Sequence, residues 1–133
     1  YHDAYSRLPA GTNELLNAND SQPDRRTWVL MIYPFLEQST LYNQAEAQVK
    51  SAGSCLYSPN RQTPVKTLMC PSDPANPKTW TGTSPSDPNQ QGFHTNYVGL
   101  AGNSYFDSPS DSGGVALNGM FYGHSKTRLE HVS

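Results

Sequence analysis

TWVLMIYPFLEQSTLYNQAEAQV, residues 27–49, is the most apolar stretch of the chain, and its reading decides the fold. Trp28, Met31, Ile32, Phe35, Leu36 and Tyr42 recur near helical spacing. Pro34 stands in the middle, where it removes a backbone donor and clashes with the preceding turn. The stretch therefore predicts either a kinked helix or two short helices meeting at Pro34. Glu37-Gln38 and the Ala/Gln/Glu run after Tyr42 favour helix over a continuous strand.

On the N-terminal side, YHDAYSRLPAGTNE (1–14) reads as the frayed end of a helix running into a turn. Pro9 stops helix propagation and Gly11 suits a chain reversal. Residues 12–26 are polar and read as loop, with Leu15 and Leu16 as points of attachment. On the other side, 51–64 is a Ser/Gly/Pro/Asn loop carrying Cys55. VKTLMC (65–70) is a strand candidate ending at the turn Pro71-Ser72-Asp73-Pro74. Residues 71–92 form a long polar loop with five prolines and the lone Trp80. Loops of that length inside a compact domain are usually functional or tethered. HTNYVGLAG (94–102) reads as a strand, and 103–113 as turn-rich. GVALNGMFYG (114–123) reads as a strand or hairpin turning at Asn118-Gly119, and KTRLEHV (126–132) as an edge strand.

A length of 133 residues suits one domain with one modest core. The expected layout is a helix end and loop over 1–26, a kinked helical segment over 27–50, and strands with long loops over 65–133. Mean hydropathy is −0.69, yet aromatics reach 11%, too many for a typical disordered chain. Charged residues make up 15%, against about 25% in ordinary soluble domains. Polarity therefore comes from Ser, Thr, Asn and Gln, and 10 Gly with 11 Pro call for many turns. The reading is a loop-rich globule. A net charge of −2, with no basic cluster beyond Arg25-Arg26, excludes a nucleic-acid binder and a basic membrane-surface helix.

Cys55 and Cys70 are the only cysteines. Lacking a CxxC pair or a histidine at ligand spacing, they do not suggest zinc. A disulfide between them would contribute about 3 kcal/mol in the chain-entropy model and needs an oxidising compartment. Two free thiols are the alternative. The four histidines fall in no HExxH or HxH pattern. Serine is abundant, but GxSxG and SxxK are absent, as are the glycine-rich phosphate loops. Asp73, Asp87, Asp107 and Asp111 sit in turn contexts, where side-chain to backbone bonds account for them. The segment 107–113 gathers the hard oxygen donors that calcium takes, so Asp107 and Asp111 are candidate calcium ligands. An ordinary Asx-rich turn is the alternative. Trp80, Tyr105 and Phe106, with Tyr122, are loop aromatics suited either to ligand or subunit contact or to a satellite core.

Five runs occur together in one order: YHDAYSRLPAG, WVLMIYPFLEQSTLYNQ, KTLMCPSDP, TNYVGLAGN and NGMFYGHSKTRLEHVS. In that order the chain resembles, over nearly its whole length, the DUF1559 family, also called SBP_bac_10, which is abundant in planctomycete bacteria. Members of this family resemble type IV pilins and type II secretion pseudopilins at their N-terminus, with a prepilin-type motif followed by a long apolar helix. The resemblance implies an α+β pilin-like head, in which the end of an N-terminal helix and short helices pack on a small antiparallel sheet. It implies no catalytic residues. By looser analogy, major pseudopilins bind calcium in a loop near the C-terminus, with Asp107 and Asp111 as the nearest counterparts here. The chain begins about where the family's helix ends and stops before an expected Asp-Gly-Thr-Ser-Asn type run, so a fragment is expected.

The function expected is a structural subunit of an extracytoplasmic filament, exposed at the cell surface and acting by assembly with copies of itself. No enzyme activity, nucleic acid or cofactor other than calcium is expected, and membrane contact only through an N-terminal helix outside this chain. The alternative expectation is an extracellular module that binds a glycan or small solute through its loop aromatics.

Overall fold

The computed structural model describes residues 1–12, 26–53, 55, 60–80, 92–102, 119–123 and 125–132. Short helices with very little strand make up its regular structure. Helix α1 is His2–Tyr5, closed by Ser6 in the left-handed conformation at φ 52°. Helix α2 is Trp28–Ile32, followed directly by a 3-10 turn over Tyr33–Leu36. Helix α3, Ser39–Ala52, is the longest element at 14 residues.

Pro34 explains the break between α2 and α3. It occupies the first turn of the 3-10 segment, where a missing N–H costs little. The segment then closes on the carbonyl of Tyr33, which accepts from the amides of both Glu37 and Gln38. Glu37 supplies the left-handed residue at φ 59° that such a closure needs. Beyond it the chain starts again as α3, which ends at Gly53, φ 74°, donating to Val49. The 3-10 turn packs against both α2 and α3. One side of it meets α1, where the rings of Tyr1 and Phe35 lie 5.4 Å apart and those of Tyr1 and Tyr5 4.7 Å. Arg26, two residues ahead of α2, pairs with Glu46 on α3 at 3.0 Å. Burial pushes the Tyr33 phenol above its ordinary value, and neighbouring Cys55 adds to the shift.

Three strand expectations are corrected. VKTLMC carries a 3-10 turn at Lys66–Leu68. Its two buried residues, Val65 and Leu68, are three apart, a helical spacing that alternation along a strand does not produce. HTNYVGLAG is not a strand. The amide of Asn96 turns to Leu68 instead, and pairing occurs just upstream, where β1 (Thr79–Trp80) meets β2 (Gly92–Phe93). That antiparallel ladder pairs Thr79 with Phe93 and Trp80 with Gly92, and it is all the sheet the described residues form. KTRLEHV ends in a 3-10 turn at Leu129–His131, closed by the Val132 amide on Leu129. In the run expected as a hairpin, Asn118 lies outside the described residues. Gly119–Gly123 forms bends that bond to other segments.

Among the described residues the core is made of small and middle-sized side chains. Ala10, Ala45, Val65 and Leu68 are buried, and no large side chain among the described residues is fully enclosed. Backbone contact does much of the joining. Gly11 donates to Tyr122 and accepts from Trp28, and Thr12 forms bridges to both Thr27 and Gly123. Leu8 donates to Thr127 at 2.7 Å. Leu100 accepts from the amides of both Met120 and Phe121. The Trp28 and Phe121 rings lie 5.6 Å apart over Gly99, where a Cβ would come within 2.9 Å of Phe121. A Cβ at Gly11 would run into the carbonyl of Phe121, and one at Gly119 into the backbone of Ala101.

These contacts separate the glycines by consequence. Gly11→Ala and Gly119→Ala push against backbone that cannot step aside, so each is expected to cost about 2 kcal/mol or more. Gly92→Ala, whose Cβ would meet nothing nearer than 3.8 Å, is expected to stay within about 0.5 kcal/mol. Chemical denaturation of the three variants measures this order; equal losses at all three would refute the close-approach account.

Candidate functional site

Two consecutive turns build the centre of the site. Cys70 accepts from the Asp73 amide and Asp73 from the Asn76 amide, with Pro71 and Pro74 each in the position where a fixed φ favours the turn. The Asp73 side chain also accepts from the Ala75 amide at 3.0 Å, an Asx turn within the second reversal. The Asn76–Pro77 peptide bond is cis.

Asn96, on the distant segment, locks onto this double turn. Its carboxamide oxygen accepts from the Cys70 amide at 2.8 Å and from Asn76 Nδ2 at 2.9 Å. Its Nδ2 donates to Asp73 Oδ2 at 2.7 Å. Asn76 Nδ2 donates further to the Cys70 carbonyl at 2.8 Å. Lys78 Nζ closes the set on Asp73 Oδ2. The backbone follows the same path, since Asn96 donates to Leu68 and His94 to Lys78. A carboxylate that accepts from an ammonium, a backbone amide and a carboxamide is stabilised in its charged form. Lys78 above all, then the Ala75 amide and Asn96, hold the Asp73 carboxyl down at about 2 against an ordinary 3.8.

Two of the signature runs, KTLMCPSDP and TNYVGLAGN, thus meet through Asp73 and Asn96. The other three meet at the Gly11–Trp28–Phe121 contacts. A family model described as a protein of unknown function, DUF1559 (SBP_bac_10), matches residues 1–133. The chain belongs to the DUF1559 family. No curated protein and no solved structure matches it.

In this DUF1559 chain the sequence-predicted site residues are scattered. Cys55 lies beside Tyr33 and Cys70 in the double turn; both are half-buried and no disulfide joins them. Trp80 is in β1, paired with Gly92. Tyr105, Phe106, Asp107 and Asp111 fall outside the described residues. Among the described residues no three His, Cys, Asp or Glu side chains gather to hold a metal ion. No helix of the described residues is long and apolar enough to cross a membrane. An open cleft of about 310 Å³ lies between α1 and the last 3-10 turn, lined by His2, Ser6, Arg128, Leu129 and Glu130. Arg128 and Glu130 pair with each other there at 3.2 Å.

Sequence reasoning placed Asp73 in a turn but missed its partners Asn76, Lys78 and Asn96. The available signal was the pairing of Cys-Pro-Ser-Asp-Pro with Thr-Asn-Tyr-Val-Gly as motifs of one family.

Because the folded carboxyl titrates below its unfolded value, the Asp73 network stabilises fully above about pH 4 and is lost as pH falls from 3.8 through 2. Asp73→Asn is expected to melt below the wild type at pH 7, with the gap closing across that acid window. A gap that stays constant in thermal melts from pH 7 to 2 would contradict the network.

Proposed function

We propose that this DUF1559 chain is the head of a structural subunit in an extracytoplasmic pilin-like or pseudopilus-like filament, exposed at the cell surface and acting by self-assembly. The observation that carries this reading is how the family's signature runs are used. Each of the five makes scaffold contacts: Leu8 and Gly11 with the C-terminal run, Trp28 with Gly11 and Phe121, and Asp73 with Asn96. A catalytic family concentrates its characteristic residues where a substrate can reach them. Here they build joints between loops. The resemblance of the family to pilins at its N-terminus supports the assembly part of the reading. A surface rich in uncharged polar residues, with prolines and ordered turns, suits a domain displayed outside the cell.

Electron microscopy of the intact mature protein, isolated from its cells, is the direct test. Filaments or regular oligomers decorated by an antibody to this head are the expected result. Strictly monomeric protein at every concentration tested would end the proposal.

A further inference from the structure

The Asp73 network holds more than an ion pair needs. The carboxamide of Asn96 has a fixed orientation, because the Cys70 backbone amide can only donate and so must face Oδ1, at 2.8 Å. Asn76 Nδ2 donates to the same oxygen at 2.9 Å. Asn96 Nδ2 therefore faces Asp73 and donates to Oδ2 at 2.7 Å. Lys78 Nζ donates to that same Oδ2. One carboxylate oxygen thus touches two nitrogens: an amine, and the nitrogen of an amide whose carbonyl is held by two N–H groups. The backbone keeps the set in place. His94 donates to the Lys78 carbonyl at 3.0 Å, Thr79 pairs with Phe93, and the Asn96 amide is bonded to Leu68. Asp73 is largely shielded, its side chain 20% exposed. Two donors on a carbonyl oxygen draw charge from the carbon and stabilise the oxyanion that forms when it is attacked. A carboxylate in reach of both the attacking and the leaving nitrogen can carry a proton from one to the other.

We propose that Lys78 and Asn96 become joined by an intramolecular amide bond, with Asp73 as the proton carrier. Lys78 Nζ gives a proton to Asp73 Oδ2, and its lone pair attacks Asn96 Cγ, the carbon bonded to Nδ2. Negative charge builds on Oδ1, between the Cys70 amide and Asn76 Nδ2. The Cγ–Nδ2 bond then breaks as Nδ2 takes the proton from Asp73 and leaves as ammonia. The second proton lost by Nζ follows by the same carboxylate, so the departing group ends as ammonium. An ammonium and a carboxamide give a secondary amide and an ammonium ion, with no oxidant or co-reactant, and Asp73 ends as the carboxylate it began. The reaction runs once in each molecule, so the high effective concentration of groups held together suffices without fast turnover. Until it occurs, Lys78 and Asp73 remain the ion pair described above. The bond closes residues 78–96 into a covalent ring across β1 and β2, and it holds where hydrogen bonds let go, in acid or denaturant. It is independent of the assembly reading.

The test weighs the intact protein by mass spectrometry under denaturing conditions, after incubation in its folded state. Its mass is expected to fall about 17 Da below that of the sequence, the ammonia released. Chymotrypsin cuts after Trp80 and Phe93, and the fragment carrying Lys78 is expected to stay joined to the fragment carrying Asn96. Lys78→Arg, which keeps a cation on Asp73, and Asp73→Asn are both expected to keep the full mass. A wild-type mass that stays full after days of incubation overturns the proposal, and this reading needs no variant to fold. A loss that persists in Lys78→Arg overturns it too, since that marks an asparagine closed on its own backbone. So does a loss of about 18 Da with Lys78 joined to Asp73. A loss that persists in Asp73→Asn removes Asp73 from the step and overturns the proposal as stated.

Discussion

Close approach of backbone to backbone governs this structure more than the packing of large side chains. At Gly11 and Gly119 the chain passes another segment with no room for a Cβ, and at Gly99 it passes under the rings of Trp28 and Phe121. Hydrogen bonds between segments follow from that proximity: Gly11 with Tyr122 and Trp28, Leu100 with Met120 and Phe121. The four buried apolar residues among those described are of small or middle size, so dispersion and area burial alone would hold these segments loosely. Directional bonds make up what a large core would otherwise supply.

The Asp73–Asn96 network repeats the strategy with side chains. Asn offers donor and acceptor on one rigid plane, so a single residue can bind a backbone amide, another carboxamide and a carboxylate at once. That economy accounts for a composition in which uncharged polar residues outnumber charged ones. It also explains how the described turns over 70–78 are held with little strand: their backbone groups find partners in one another and in Asn and Asp side chains.

Local chemistry was legible in the sequence and long-range approach was not. Pro34 announced the change of geometry between α2 and α3, and Pro71 and Pro74 the turns around Asp73, because proline acts on its immediate neighbours. The strand reading of 65–70 failed although the signal was present, since Val65 and Leu68 stand three apart. The strand reading of 94–102 failed for a different reason. Asn96 is committed to partners more than 20 residues away, and no periodicity of side chains encodes such a commitment. Gly11 and Gly119 looked like turn residues, a role that the same amino acid fills for unrelated steric reasons. For the candidate site, the motifs were visible as motifs, but their meeting in space was not.

The bonds from Leu8, Gly11 and Thr12 to residues 122–127 span most of the chain. Closing contacts of such separation is slow, because the entropy of a long loop must be overcome before the contact stabilises anything. The N-terminal segment therefore meets its near partners Trp28, Thr27 and Phe35 first and its distant ones at 122–127 last. Leu8 and Thr127 lie more than a hundred positions apart, so a break in the backbone anywhere between them would leave both segments still fastened to each other.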